Sequence, residues 1–185
     1  VMATQNPIES EGTYPLPEAQ VDRFMLKVLV GYPQRDEELT VVQRSLQAAA
    51  EVRQVLELED LKELQRAALA VYVDPSLISY AVTLATATRE PARHGLDAWG
   101  DYVAFGASPR GPIALVQSAR ALALIHGRDY VITQDLTALA KDALRHRLVL
   151  TYQALAEEKT ADDILDAVLA SVPQPQLDLR RIAAA

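Results

Sequence analysis

Beyond residue 35, apolar residues recur at intervals of three and four, which places them on one face of a helix. The pattern predicts helices over Asp36 to about Val52, over Leu58–Val71, from Pro75, over Ile113–His126, from Thr133, and from Thr160 with Asp163 as its capping partner. Gly127 and Pro173 follow two of these helices, as residues that end helices often do. Most of the chain is therefore predicted to be a helical bundle.

The first residues follow a different pattern. Val1–Thr4 and Met25–Val30 are short apolar runs without helical spacing, and they predict two strands. Glu18–Phe24, between them, predicts a short helical turn. The fold class is therefore mainly α with a small α/β part: residues 1–34 form the α/β part, residues 35–173 the helical domain and residues 174–185 a tail.

Proline and glycine interrupt the helical pattern between Arg89 and Tyr102, so this stretch is predicted to be a connecting loop. Trp99 and Phe105 are large aromatic residues in and just after it. We expect both side chains to anchor the loop to the core.

Composition narrows the possible functions. The chain has 185 residues, half of them hydrophobic, which is enough for one domain with a core. A net charge of −7 argues against a broad surface for nucleic acid or anionic membranes, and no apolar run is long enough to span a membrane. The absence of cysteine excludes disulfides and thiolate chemistry, and it fits the cytoplasmic location that we expect. The three histidines are too scattered to form a metal site.

The stretch Gly106–Ala–Ser–Pro–Arg–Gly111 places a cation where helix physics disfavours one. Ser108 is a good N-cap and Pro109 suits the first helical position, so Arg110 falls in the first turn, beside backbone N–H groups that are already partly positive. A bound anion would satisfy both, and phosphate is the usual one. The alternative is an arginine that points into water. The spacing of the two glycines mimics a phosphate loop, but Pro112 follows where such a loop has lysine.

Other polar residues allow two interpretations each. Asn6 follows a predicted strand and precedes a proline, so it is either a functional residue at a strand end or a turn residue. Arg145 and Arg147 flank the C-terminus of a predicted helix, where cations are stabilised without any ligand. The structural interpretation is favoured for these two arginines.

Four stretches resemble, in order, motifs of the MoxR family of AAA+ ATPases. They are Ala3–Phe24, Gly106–Gly111, Gly127–Val131 and Leu144–Leu148, and the likeness extends to about Val172. Four motifs in the family's order are far more specific than one. The resemblance implies the end of a P-loop ATPase core followed by the helical AAA+ lid.

The resemblance also implies roles for individual residues. Asn6 matches the sensor-1 asparagine, which binds near the γ-phosphate and orients the attacking water. Arg23 matches the arginine finger, which reaches the nucleotide of a neighbouring subunit. Arg110, with Ser108 and Gly111 beside it, matches the sensor-2 motif, whose arginine contacts the phosphates of its own subunit. Such contacts suit phosphoryl transfer, which depends on positioning and charge stabilisation.

Further expectations concern the complete protein. The chain has no Walker A lysine and no hydrophobic run ending in Asp–Glu, and both precede the sensor-1 strand in the family. We therefore expect a C-terminal part that is inactive alone. By resemblance, the complete enzyme uses ATP and Mg²⁺, forms a hexameric ring and remodels a client protein, often beside a partner with a von Willebrand factor A domain. The alternatives are the ATPase subunit of a magnesium chelatase and a non-enzymatic helical interaction module.

Overall fold

Helices make up most of the structure, a computed structural model that describes residues 1–5, 16–49 and 51–176. The elements are α1 (Glu18–Val21), α2 (Arg35–Ser45), α3 (Leu58–Ala70), α4 (Pro75–Arg89), α5 (Asp97–Gly100), β1 (Val103–Phe105), α6 (Arg110–Ile125), α7 (Thr133–Leu144), β2 (Val149–Leu150), α8 (Tyr152–Ala156) and α9 (Ala161–Ser171). Two 3-10 turns, Pro91–His94 and Arg145–Arg147, follow α4 and α7. The predicted mainly α fold is confirmed.

The core lies between α4, α6, α7 and α9, which pack on one another. Its largest fully buried side chains are aliphatic: Leu77, Leu84, Leu115, Leu136, Leu144, Ile164, Leu165 and Val168. Side-chain caps begin two of these helices. Asp74 accepts from the backbone N–H of Ser76 at 2.8 Å at the start of α4, and Thr160 and Asp163 cap α9 reciprocally.

A two-stranded sheet, which the hydrophobic pattern did not predict, closes one side of the bundle. β1 and β2 are antiparallel, with Val103 opposite Leu150 and Phe105 opposite Val149. The strands hold three and two residues, too few for a period-2 pattern to be recognised.

Two expectations about the stretch before this sheet are corrected. The predicted loop between Arg89 and Tyr102 contains a 3-10 turn and α5. Trp99 packs against the core as expected, but Phe105 does not, because its residue is 70% exposed on β1.

The N-terminal part departs most from prediction. Neither Val1–Thr4 nor Met25–Val30 forms a strand in the described part of the chain, and Val30 is 91% exposed. A strand is stabilised by hydrogen bonds to a neighbouring strand, and the described residues provide none beside either run. The predicted turn at Glu18 is present as α1, while α2 ends at Ser45 rather than near Val52. The apolar stripes of α2 and α3 contain no buried residue, so they lie outside the core.

Some predictions fall on residues outside the described ranges. Asn6 is one of them, and so is most of the predicted tail, residues 177–185. The domain boundary at residues 34 and 35 stays a prediction.

Candidate functional site

The first turn of α6 has the geometry predicted from the sequence. The Ser108 hydroxyl accepts from the backbone N–H of Arg110 at 3.2 Å, and Gly111 donates its N–H to the Ser108 carbonyl at 2.9 Å. Pro109 already has helical torsion angles. Ser108 therefore caps the helix, and the Arg110 side chain projects from the first turn.

The loop before α6 is fixed by contacts with the end of α4. Thr88 is buried, donates to the Ala85 carbonyl at 2.7 Å and accepts from the N–H of Ala107 at 2.9 Å. A Cβ added at Gly106 would lie 2.5 Å from the Thr88 carbonyl oxygen. At Gly106, therefore, the backbone of Thr88 occupies the space that a side chain would need.

Gly111 also has a packing role. The residue is buried, and an added Cβ would lie 2.8 Å from the end of the Leu144 side chain. Leu144 is the last residue of α7, so Gly111 allows α6 to approach α7 closely. This contact sets the position of the first turn of α6 relative to the turn that follows α7.

Asp22 supplies the anion that Arg110 contacts in this structure. Its carboxylate accepts from Arg110 Nη1 at 2.9 Å and from the Ser108 hydroxyl at 2.9 and 3.0 Å, and it lies 3.2 Å from Arg147 Nε. We call Asp22, Ser108, Arg110 and Arg147 the Asp22 cluster. Burial opposes ionisation of the carboxyl, but the hydrogen bonds from Arg110 and Ser108 and the charge of Arg147 outweigh it, so the pKa of Asp22 is lowered.

Arg147 fixes the backbone of the segment that contains Asp22. Its side chain is 2% exposed, and its Nη2 donates to the carbonyl oxygens of Phe24 at 2.8 Å and Asp22 at 3.1 Å. Arg145 extends this attachment by donating to the Lys27 carbonyl at 2.7 Å. The two arginines therefore attach residues 22–27 to the turn after α7. Their role here is structural, but it comes from these long-range contacts, which their position at the helix C-terminus did not predict.

Arg23 follows Asp22 directly and faces solvent. Within the ranges that the structure describes, its side chain makes no hydrogen bond or ion pair. The Arg110 side chain is 55% exposed and pairs only with Asp22 among those residues. Two accessible arginine side chains are therefore associated with Asp22: Arg110 through an ion pair, and Arg23 as the next residue in the chain.

Sequence reasoning predicted Arg23, Ser108, Arg110 and Gly111 as site residues, but it did not single out Asp22, which binds Ser108 and Arg110. Asp22 lies within the Ala3–Phe24 motif, yet its partners Ser108 and Arg110 are 86 and 88 positions away. No local spacing could reveal such a pairing. The remaining predicted site residue, Asn6, lies outside the described residues.

The arrangement suits an anionic ligand that bears several oxygens. Guanidinium groups present planar arrays of N–H donors that match phosphate oxygens, and Arg110 adds its charge to a helix N-terminus. Residues 1–5, 16–49 and 51–176 contain no group of side chains that could hold a metal ion. Among the described residues, no helix is both long enough and apolar enough to cross a bilayer.

Two family models match the two segments of the chain that form this site. Residues 100–168, which include α6, α7 and the turn after α7, match the AAA lid domain. Residues 1–26, which include Asp22 and Arg23, match the ATPase family associated with various cellular activities (AAA).

Individual relatives cover nearly the whole chain. It is 48% identical to Chaperone MoxR1 of Mycobacterium tuberculosis over 96% of its length, and 44% identical to protein YeaC of Bacillus subtilis over 95%. A crystal structure of a candidate ATPase from Cytophaga hutchinsonii superposes with a TM-score of 0.87 at 40% identity, over 93% of this chain. The matches cover 47%, 52% and 53% of those proteins, so the chain spans about half their length.

Proposed function

Because the chain belongs to the MoxR family of AAA+ ATPases, we propose that the complete protein hydrolyses ATP and that this chain supplies its lid and two phosphate-contacting arginines. The observation that carries the proposal is that the exposed Arg110 is ion-paired with Asp22, the residue directly before the exposed Arg23. Each guanidinium offers several N–H donors that suit phosphate oxygens.

Arg110 is proposed as the sensor-2 residue. Its guanidinium leaves the first turn of α6, and Asp22 pairs with Nη1 alone, so the other N–H groups remain for phosphate oxygens. Ser108 supports this role by capping the turn, and Gly111 by letting the helix approach Leu144. In phosphoryl transfer, such a cation stabilises charge that develops in the transition state.

Arg23 is proposed as the arginine finger, which reaches the nucleotide of a neighbouring subunit. Arg110 is ion-paired with Asp22, whose backbone is joined directly to that of Arg23. This link leads us to propose that both arginines contact the same triphosphate, whereas by the resemblance Arg110 contacts the nucleotide of its own subunit and Arg23 that of a neighbouring subunit. Asn6 is proposed as the sensor-1 residue on the strength of its motif.

The wider setting follows from the family. We propose a ring, hexameric in the complete protein, that couples ATP hydrolysis to remodelling of a client, beside a partner with a von Willebrand factor A domain. The name of the Mycobacterium relative, a chaperone, supports this. By the same resemblance, we propose that the complete protein uses Mg²⁺ with ATP, and we expect the chain alone to be inactive because it has no Walker A lysine.

Alanine substitution in the complete protein tests the phosphate contacts. Loss of a charge-assisted contact costs about 1.5–3 kcal/mol, so Arg110→Ala and Arg23→Ala should each lower the ATPase rate about ten- to a hundredfold. Arg93→Ala is the matched control, because the Arg93 side chain is exposed and pairs with Glu90 rather than with Asp22. If both site variants stay within about twofold of the parent, the proposed roles are wrong. If the complete protein does not bind ATP, the helical interaction module is favoured.

Mixed rings test which nucleotide each arginine meets. We combine Arg23→Ala subunits with subunits that lack the Walker A lysine, so that each supplies what the other lacks. Activity that exceeds the sum of the separate preparations shows that Arg23 acts across an interface. The same experiment with Arg110→Ala should also give rescue if both arginines meet one triphosphate, and no rescue if Arg110 serves its own subunit.

A further inference from the structure

We propose that Asp22 is a positioning residue whose carboxylate couples Arg110 to Arg23, so that the two arginines act on the nucleotide as one unit. The inference rests on the proposed function, because it concerns the same two phosphate contacts. Asp22 itself would touch no phosphate, since its negative charge would repel one.

The first support is the origin of the groups that meet at Asp22. Ser108 and Arg110 come from the start of α6, while Arg147 comes from the turn after α7. The carboxylate therefore joins two separate parts of the lid to the segment before Met25. A shift of α6 relative to that segment would break the hydrogen bonds from Ser108 and Arg110 to Asp22. The contacts therefore favour movement of α6 and the Asp22 segment together.

The second support is the difference between the two arginines that face Asp22. The Arg147 side chain is 2% exposed and also binds backbone carbonyls, so it is fixed. Arg110 is 55% exposed and has no other partner among residues 1–5, 16–49 and 51–176. Asp22 is thus the one described group that orients the Arg110 guanidinium, and Arg147 keeps Asp22 in place.

The third support is the short covalent connection between Asp22 and Arg23. Adjacent Cα atoms are about 3.8 Å apart, so the backbone that positions the carboxylate also positions the base of the Arg23 side chain. Backbone hydrogen bonds from Asp22 to Glu18 and from Arg23 to Gln20 hold this turn. The orientation of Arg110 and the position of Arg23 therefore depend on one residue.

Asp22→Asn in the complete protein provides the first test. The amide keeps the size of the side chain and one oxygen acceptor but removes the charge, so Arg110 loses its ion-pair partner and is held less firmly. We expect kcat to fall about tenfold while KM for ATP changes less than threefold, because the binding charges remain. Asp166→Asn is the matched control, since it also removes a carboxylate from an ion pair, at 2.7 Å from Lys141, away from α6. A kcat equal to that of this control would overturn the proposal.

A double-mutant cycle provides the second test, with a readout that a purely structural role would not change. Arg23→Lys and Arg110→Lys are made singly and together, with Asp22 intact and with D22N. With Asp22 intact, we expect the double variant to lose about tenfold less activity than the product of the single losses. In the D22N series the losses should multiply within about twofold. The same coupling in both series would refute the role of Asp22.

The outcomes separate this inference from the proposed function. If the two lysine substitutions leave kcat unchanged, the phosphate contacts themselves are wrong. If they lower kcat but the cycle does not depend on Asp22, only the coupling fails. Should D22N not fold, as judged by thermal unfolding, Ser108→Ala removes one donor to Asp22 without a change of charge. It should reduce the coupling, and unchanged coupling would count against the proposal.

Discussion

Arg147 donates to the carbonyl oxygen of Phe24 at 2.8 Å across 123 positions of the chain. The bond joins the turn after α7 to the segment of Asp22 and Arg23. A buried cation is tolerated only where hydrogen bonds and an opposite charge compensate its loss of water. Arg147 has both, because it donates to the carbonyl oxygens of Asp22 and Phe24 and lies beside the Asp22 carboxylate. The Leu144–Leu148 motif therefore helps to place the proposed finger, although it lies far from it in sequence.

Arg147→Met should destabilise the chain and displace Arg23. Methionine retains the apolar stem but cannot donate to the two backbone carbonyls or offset the charge of Asp22. Breaking a buried ion pair costs about 3–5 kcal/mol, so we expect a loss of about 3 kcal/mol in the free energy of unfolding. Urea unfolding of the chain, followed by the fluorescence of its one tryptophan, Trp99, measures this loss.

Arg93→Met is the control for that measurement, because the Arg93 side chain is exposed and its ion pair with Glu90 should contribute less than about 1 kcal/mol. Hydrogen exchange at residues 22–27 should accelerate in Arg147→Met and not in the control. A loss below about 1 kcal/mol, or unchanged exchange, would show that Arg147 does not hold the segment.

The start of α6 could be predicted from the sequence because its determinants are local. Ser108, Pro109 and Gly127 each favour a particular position at a helix end, and the structure has them there. The helical core could be predicted for the same reason, since a spacing of three and four is visible within a few turns. Family resemblance added roles for Arg23 and Arg110 that spacing alone left open.

The remainder depends on contacts between distant residues. Asp22 and Arg147 are ordinary charged residues in the sequence, and only the fold brings them within 3.2 Å of each other. The predicted strand Met25–Val30 failed for a related reason: apolar character indicates a strand only where another strand pairs with it. Lys27 instead donates its N–H to Asp142 and accepts from Arg145.

Gly106→Ala should destabilise the chain through a clash that the backbone cannot relieve cheaply. The added Cβ would lie 2.5 Å from the carbonyl oxygen and 2.6 Å from the carbonyl carbon of Thr88, and overpacking of this kind costs about 1–3 kcal/mol. Gly111→Ala should cost less, because the nearest atom is the flexible end of Leu144 and alanine favours the helix. Gly100→Ala has no atom within 4 Å and serves as the control. Equal stabilities in urea for all three variants would contradict this account.

The ion pair between Arg128 and Asp135 predicts a structural role for the Gly127–Val131 motif. Its two N···O distances are 2.8 and 2.6 Å, and Asp135, whose side chain is 4% exposed, also accepts from the N–H of Ile132. Asp135→Asn should lower the free energy of unfolding by about 3 kcal/mol, because it leaves Arg128 without its charge partner. Asp166→Asn, which breaks the more exposed pair with Lys141, should cost less than about 1 kcal/mol. If urea unfolding gave similar losses of stability for the two variants, the proposed structural role of the Arg128–Asp135 pair would be wrong.

His146 lies between the two arginines of the turn after α7 and predicts a pH dependence. Its Nε2 is 3.0 Å from the Phe24 carbonyl oxygen. Burial lowers the pKa of the imidazole, and the charges of Arg147 and Lys27 lower it further, while the contact with Phe24 opposes the shift. The folded protein therefore binds this proton less readily than the unfolded chain, in which histidine has a pKa of about 6.5.

Stability should consequently fall as the pH decreases below about 6.5, because the unfolded chain takes up the proton first. We compare the free energy of unfolding at pH 7.5 and 5.5 for the parent and for His146→Gln, which cannot titrate. The parent should lose more stability than the variant over this interval. Asp22 does not affect the comparison, because an aspartate of the unfolded chain stays ionised above about pH 4 and the pKa of Asp22 in the folded protein is lower still. An equal loss of stability in the parent and in His146→Gln would show that His146 does not titrate in this way.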